Sequence, residues 1–121
     1  MRDRIAEFAF ERDGDVLVAK VAGEIDGSNA SELRLALVER FPSAASALVL
    51  DLTEVAYLDS AGIQLLFGLG RRLAARRQAI RLVVPEGAPV RRVLELCAVE
   101  AVAPIDGDLG GSLRALARPS T

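Results

Sequence analysis

Short apolar runs alternate with amphipathic stretches along almost the whole chain. After an initial hairpin pattern, each strand-like run is followed by residues whose apolar positions recur at helical spacing, in the order β-β-α-β-α-β-α-β-α. Strands that alternate with helices are joined by right-handed crossovers. The sequence therefore predicts an α/β fold, with a mainly parallel or mixed sheet of about five strands and about four helices packed against it. We expect a single domain over residues 1–121, with its core at about 5–117.

The residue types within and between these runs predict where the strands begin and end. An Asp-Gly pair at Asp13 indicates a tight hairpin turn between the first two strands. The second strand is apolar almost throughout, as expected for a strand that is covered on both faces. Residues 23–27 are predicted as a loop, and residues 54–59 as another. The predicted strands are residues 5–11, 16–22, 47–52, 80–84 and 101–103.

Capping residues set the predicted helix starts. Asn29 is a good N-cap, and Glu32 stands three residues later in the position of a capping box. Ser60 is predicted to cap a second helix that runs to about residue 77, and Pro89 is placed at the first position of a third. A final helix is predicted from Leu109 or Ser112 to Ala117. Gly68 and Gly70 each disfavour the second helix by about 1 kcal/mol, which close packing of a strand would offset.

Composition excludes several classes of function. The chain has no His, which removes His-based acid–base catalysis, Ser-His and Cys-His nucleophiles and His-ligated metal sites. The single cysteine, Cys97, cannot form an internal disulfide and lies on the predicted apolar stripe of the third helix, so we expect it in the core. A net charge of −2 gives no electrostatic case for nucleic acid.

Nothing in the hydropathy pattern suggests a membrane segment or a signal peptide. The longest uncharged run, residues 60–70, is far shorter than the roughly 20 apolar residues that a membrane span needs. We therefore expect a cytoplasmic protein with no cofactor, no metal and no membrane partner.

One stretch has a chemically informative arrangement. A buried strand over residues 47–52 leads through a short loop to Asp59 and then Ser60, which places a hydroxyl at a helix start. Free N–H groups and the helix dipole favour negative charge there, including that of a phosphate. Asp59 opposes such a charge by repulsion. From physical chemistry alone, a simple helix-capping role for Ser60 is the commoner outcome.

Taken together, two motifs resemble a known family. The first motif is Gly-Glu-Ile-Asp at residues 23–26, and the second is Asp-Ser-Ala-Gly at residues 59–62, with a helix and the apolar strand between them. This arrangement resembles the STAS domain, and in particular the bacterial anti-sigma factor antagonists. The resemblance covers about residues 5–117, in the same order and spacing. Either motif alone would be a weak signal.

The resemblance implies a phosphorylation switch without catalysis. Ser60 would be phosphorylated by a partner that is both an anti-sigma factor and an ATP-dependent serine kinase, and a separate serine phosphatase would reset it. The dephosphorylated form would bind the partner and the phosphorylated form would be released, with ATP and Mg²⁺ belonging to the partner. Asp26 and Asp59 match the acidic positions beside the site. Gly62 matches the turn glycine and would let a partner approach closely. The residues that the resemblance implies would contact the partner also include Glu24, Ala61 and Ile63. Ala61 stands where the family often has a second serine.

Other readings remain open at this level. Asp51 near a strand end is a conceivable phosphoacceptor of a receiver domain, although the only lysine, Lys20, lies in the second strand instead of near the last. Ser60 as an enzymatic nucleophile would need a carboxylate or Lys20 as its base. A STAS module can also be a scaffold or regulatory subunit of a stress-signalling assembly or a lipid-transport complex. We expect a monomer or weak dimer.

The arginines near the end of the second helix, five of them between residues 71 and 81, are expected to be a solvated helix end.

Overall fold

The computed structural model describes residues 7–117 and confirms the predicted α/β fold. Its five strands form one mixed sheet, and its four α-helices pack against that sheet. The strands are β1 Glu7–Asp13, β2 Val16–Ile25, β3 Ala47–Leu58, β4 Ala79–Val83 and β5 Ile105–Asp106. The helices are α1 Ala30–Arg40, α2 Ser60–Ala75, α3 Arg91–Leu96 and α4 Leu109–Ala117, with a 3₁₀ turn at Val99–Ala101. The predicted strand residues before Glu7 lie outside the described residues.

The strands lie in the sheet in the same order as in the chain. The first pair, β1 and β2, is antiparallel, and β2 through β5 are parallel. Because each crossover moves one strand in the same direction and crossovers are right-handed, the helices between the strands fall on one face of the sheet. Only the helix that follows the last strand is left to cover the other face.

Two apolar clusters correspond to these two faces. The larger cluster contains Leu17, Leu48, Leu50 and Leu82 from the sheet, and leucines of α1, α2 and α3 pack against them. The smaller one contains Val16, Val18, Ala47, Val49 and Val83, with Leu109, Leu113 and Leu116 of α4 packed against it. Alternate residues of β2 and β3 thus point to opposite clusters, which confirms that these strands are covered on both faces.

The predicted hairpin turn is also confirmed. Asp13 pairs with Val16, which leaves Gly14 and Asp15 as the two loop residues. Gly14 has a φ of 62°, in the left-handed region that glycine adopts at little cost.

The predicted loops at residues 23–27 and 54–59 are largely wrong, because β2 continues to Ile25 and β3 to Leu58. The pairing of these strands is interrupted twice, between Lys20 and Ala22 and between Gly23 and Glu24, and β3 carries one extra residue at each interruption. Each bulge shifts, by one residue, the alternation between side chains that face the core and side chains that face away from it. Therefore Leu52, Val55 and Leu58, three residues apart, all face the core.

The prediction for the region around Cys97 is wrong in two respects. Cys97 is exposed, because α3 has only 6 residues and ends before it. Ala98 then takes a left-handed conformation with a φ of 57°, which turns the chain away from the helix axis. The last strand is not residues 101–103 but Ile105–Asp106, after the 3₁₀ turn.

The buried side of α2 differs slightly from the apolar stripe that helical spacing predicts, which consists of Ile63, Leu66, Phe67, Gly70, Leu73 and Ala74. Leu65 and Leu69 are buried core residues that the prediction missed. Ile63 and Phe67, which the prediction placed on the stripe, are only half-buried.

The arginines of α2 and its end are exposed as expected, but Arg81 is not part of that solvated group. Its guanidinium donates to both carboxylate oxygens of Asp106, at 2.7 and 3.1 Å, and the buried Ser112 hydroxyl donates to the same carboxylate at 2.6 Å. These bonds connect β4, β5 and α4.

Candidate functional site

The site lies at the edge of the sheet where the parallel strands end. Ile25 and Leu58, the last residues of β2 and β3, are paired neighbours. The loop after β2 therefore meets the start of α2, and the Asp59 backbone N–H donates to the Ile25 carbonyl at 3.2 Å. The fold brings together two motifs that are more than 30 residues apart in the sequence.

Asp59, and not Ser60, caps α2. One carboxylate oxygen of Asp59 accepts from the N–H groups of Ala61 and Gly62, at 2.8 and 3.3 Å. The other oxygen accepts from the Gly27 N–H at 3.2 Å, across the gap between the two loops. The prediction that Ser60 is the N-cap is therefore wrong by one residue, because Asp59 has the extended backbone that a cap requires.

Ser60 is consequently the first residue of the helix, and its side chain is exposed. Its hydroxyl makes no hydrogen bond with any residue in 7–117. Both oxygens of Asp59 accept from backbone N–H groups, and neither bonds to the Ser60 hydroxyl. Within the described part of the chain, no carboxylate or lysine hydrogen-bonds the Ser60 hydroxyl, so a base of the kind that a nucleophilic serine needs is not in place there.

The loop after β2 is held by its own side chains. Asp26 accepts from the Ser28 N–H at 2.9 Å and from the Ser28 hydroxyl at 2.6 Å. Asn29, only 3% exposed, accepts from the Asp26 N–H at 3.0 Å and donates to the Glu24 carbonyl at 2.8 Å. Asn29 precedes α1 as predicted, but its side chain makes no hydrogen bond to that helix, so the capping box with Glu32 does not form.

Gly62 is required by packing within this chain. A Cβ added there would lie 2.7 Å from Leu58 Cδ2 and 3.2 Å from the Ile25 carbonyl oxygen. Gly62 is buried, so its missing side chain serves packing within this chain, and the expectation that it also lets a partner approach closely stays a prediction. It lets the first turn of α2 lie directly against the ends of β2 and β3.

The remaining predicted contact residues lie around this turn. Glu24, Ala61 and Ile63 are half-buried, and Glu24 pairs across the strands with Tyr57, which is 49% exposed. Asp51, the alternative acceptor, accepts from the Thr53 N–H and hydroxyl at 3.0 and 2.6 Å and so supports the first bulge.

Within the described part of the chain, no group of three or more acidic or cysteine side chains is placed to hold a metal ion. None of the helices described there is long and apolar enough to cross a membrane.

Sequence reasoning did not single out three polar side chains beside the turn. Ser31 and Arg34 on α1 and Gln64 on α2 line a groove between these helices. They come from helices that begin 30 residues apart, and no local pattern marks them.

A family model described as "Mlab, STAS domain" matches residues 8–105. The chain belongs to the STAS domain family. An anti-sigma-B factor antagonist of Listeria monocytogenes is 38% identical over 72 residues, which is 60% of this chain and 63% of that protein. The match thus spans less than two thirds of this relative.

Two solved structures are similar over nearly the whole domain. An anti-sigma factor antagonist from Mycobacterium paratuberculosis shares 27% identity, with a TM-score of 0.83 over 93% of this chain and 95% of that one. The anti-sigma factor antagonist SpoIIAA in its unphosphorylated form shares 19% identity, with a TM-score of 0.72 over 94% of this chain and 100% of that one. At that identity the second structure supports the fold alone.

Proposed function

We propose that this STAS domain is an anti-sigma factor antagonist and that Ser60 is its phosphorylation site. The observation that carries the proposal is the exposed Ser60 hydroxyl, which no other described residue hydrogen-bonds, on a turn that Asp59 fixes from both sides. The names of the Listeria and Mycobacterium relatives support the assignment to this class.

The proposed partner is an anti-sigma factor that is also an ATP-dependent serine kinase. ATP and Mg²⁺ belong to that partner, and a serine phosphatase restores the hydroxyl. The domain itself is a non-catalytic switch that acts in the cytoplasm as a monomer or weak dimer. The direct contact surface comprises Ser60 with the half-buried Glu24, Asp26, Asp59, Ala61 and Ile63 around it, and the buried Gly62 of the same turn.

The capped turn determines where a phosphate would project. Asp59 already accepts from the Ala61 and Gly62 N–H groups, so a phosphate on Ser60 finds these two donors occupied. The dianion therefore stays at the surface and points outward. That position suits a signal that a partner reads.

Release requires an interaction that differs between the free and the bound protein. Repulsion between phosphoserine and Asp59 is present in both states, so by itself it does not weaken binding. Binding adds desolvation of the phosphate and any negative charge that the partner brings. Two unit charges about 4 Å apart interact by roughly 4 kcal/mol at an effective dielectric constant of 20, which corresponds to about a thousandfold in affinity before relaxation and solvent screening reduce it.

The test uses the purified protein with ATP and each purified anti-sigma factor kinase of the source organism. We expect phosphate on Ser60 by mass spectrometry, and we expect Ser60→Asp to weaken binding by about a hundredfold while Ser60→Ala binds like the wild type. Ser46→Asp is the matched control, because Ser46 is an exposed serine just before the amino end of β3, at the opposite edge of the sheet.

Equal affinities for Ser60→Asp and the wild type would contradict the proposal. So would stable capture of a transporter ATPase in place of any sigma-factor regulator, which would favour the scaffold role.

A further inference from the structure

A groove of about 220 Å³ separates the amino-terminal halves of α1 and α2. It is lined by Ala30, Ser31 and Arg34 from α1 and by Ala61, Gln64 and Leu65 from α2. Ala61 directly follows Ser60, and consecutive Cα atoms are about 3.8 Å apart. The groove therefore opens beside the proposed phosphorylation site.

The lining combines an apolar floor with hydrogen-bond donors. Ala30 and Leu65 are buried and Ala61 is half-buried, whereas the three polar side chains of the groove are exposed. Arg34 carries the only formal charge among the lining residues. No carboxylate belongs to the lining, so an occupant that supplies a negative charge would meet attraction and no repulsion from the groove itself.

Arg34 has no ion-pair partner among residues 7–117. On its own helix, the positions three and four residues away are Ala30, Ser31, Leu37 and Val38, none of them acidic. The i±3 and i±4 neighbours are the ones that could neutralise a helical arginine, so the sequence leaves its guanidinium available for an external carboxylate.

The surroundings of Ser60 have the opposite character. Glu24, Asp26 and Asp59 lie together at the turn, whereas Arg34 lines the adjacent groove. The surface is therefore acidic at the turn and basic in the groove beside it. A partner that covers both regions must present its own acidic group over the groove, away from the acidic turn, to be complementary.

We propose that the groove between α1 and α2 receives an acidic side chain from a partly apolar segment of the anti-sigma factor, and that Arg34 pairs with its carboxylate. This inference rests on the proposed function. The exposed hydroxyl of Ser31 and the amide of Gln64 are donors for the same carboxylate, and the aliphatic part of the segment lies on Ala61 and Leu65.

The groove also supplies the differential interaction that the switch needs. A carboxylate bound there exists only in the complex, and it lies beside Ser60. Phosphorylation then places a dianion next to a partner charge that the free protein does not have. The repulsion appears only on binding, so it shifts the equilibrium towards release.

The first test measures binding of the purified anti-sigma factor kinase to charge variants of dephosphorylated protein. We expect Arg34→Glu to raise Kd about tenfold, mainly through a slower association rate, and Arg34→Lys to retain most of the affinity. The loss should shrink at high salt. Arg12→Glu is the matched control, because it makes the same charge change on an exposed arginine at the hairpin, on the opposite edge of the sheet.

The second test identifies the occupant. A photoreactive residue in place of Ser31 should crosslink to a partner peptide that contains Asp or Glu. Changing that acid to Arg should restore binding to Arg34→Glu and weaken binding to the wild type. A crosslinked peptide without an acidic residue would overturn the proposal.

The two proposals fail in different ways. If Arg34→Glu binds like the wild type while Ser60→Asp is still released, the groove is not part of the interface and the proposed function stands. If the unmodified wild type binds no anti-sigma factor kinase at all, the proposed function itself is wrong.

Discussion

Replacing Asp59 by alanine is expected to destabilise the protein, whereas replacing Ser60 by alanine should have almost no effect on stability. The sequence pattern alone predicts the reverse, with Ser60 as the cap of α2. The difference follows from two groups of hydrogen bonds that only Asp59 makes, to the first turn of α2 and to the Gly27 N–H.

The size of the effect follows from these bonds. Loss of an N-cap costs about 1 kcal/mol, and loss of the bond to Gly27 costs about another 1 kcal/mol. We therefore expect Asp59→Ala to lower the free energy of unfolding by about 2 kcal/mol and the melting temperature by about 8 °C. Ser60 is exposed and its hydroxyl has no hydrogen bond to the residues that the structure describes, so Ser60→Ala should stay within about 0.5 kcal/mol of the wild type.

Urea unfolding followed by circular dichroism measures both values. Asp59→Asn is an informative control, because an amide oxygen can still cap the helix while the amide nitrogen cannot accept from Gly27. It should fall between the wild type and alanine, at a loss of about 1 kcal/mol. A loss for Ser60→Ala as large as that for Asp59→Ala would refute the assignment of the cap.

Two further predictions concern the packing of α2 and the acid stability of the fold. Nothing lies within 4 Å of a Cβ added at Gly68, whereas one added at Gly70 would lie 2.8 Å from Val102 Cβ and 2.9 Å from its carbonyl oxygen. In thermal unfolding, Gly68→Ala should therefore gain up to about 1 kcal/mol and Gly70→Ala should lose about 1–3 kcal/mol; equal shifts for both would be inconsistent with this packing. The hydrogen bond from Arg81 lowers the pKa of Asp106 in the folded protein. The ionised Asp106 carboxylate therefore stabilises the fold above the ordinary carboxyl pKa of about 4, and this stabilisation is lost as the pH falls through the lowered pKa of Asp106. Urea midpoints between about pH 5 and pH 2 should fall less steeply for Asp106→Asn than for the wild type, and parallel pH profiles would exclude this contribution.

Strand existence was predictable from the sequence, but strand ends were not. The apolar run at residues 47–52 identifies β3, yet the strand continues to Leu58 through two bulges. Because each bulge adds a residue, the core positions there are three residues apart, and this spacing matches neither the two-residue period of a strand nor that of a helix. Local periodicity therefore indicates a loop where the structure has a strand.

At the candidate site, too, the sequence predicts the kind of structure but not which residue has which role. The residue types at 59–62 indicate a capped helix start that carries a hydroxyl, and the structure contains one. Which of the two neighbouring residues is the cap depends on the extended backbone of Asp59 and on the proximity of Gly27, and this contact is between residues 32 positions apart.

The order of apolar runs and helix signals determined the fold class by itself, because strand–helix alternation permits few sheet topologies. It also determined that a serine stands where a buried strand passes into a helix. Only the tertiary structure decided that Asp59 holds that turn and that Gly62 serves internal packing. It also decided that Arg34, which has no ion pair within residues 7–117, borders a groove next to Ser60. Those properties arise from atoms of different elements meeting at one edge of the sheet, and such distances are not encoded in any local spacing of residues.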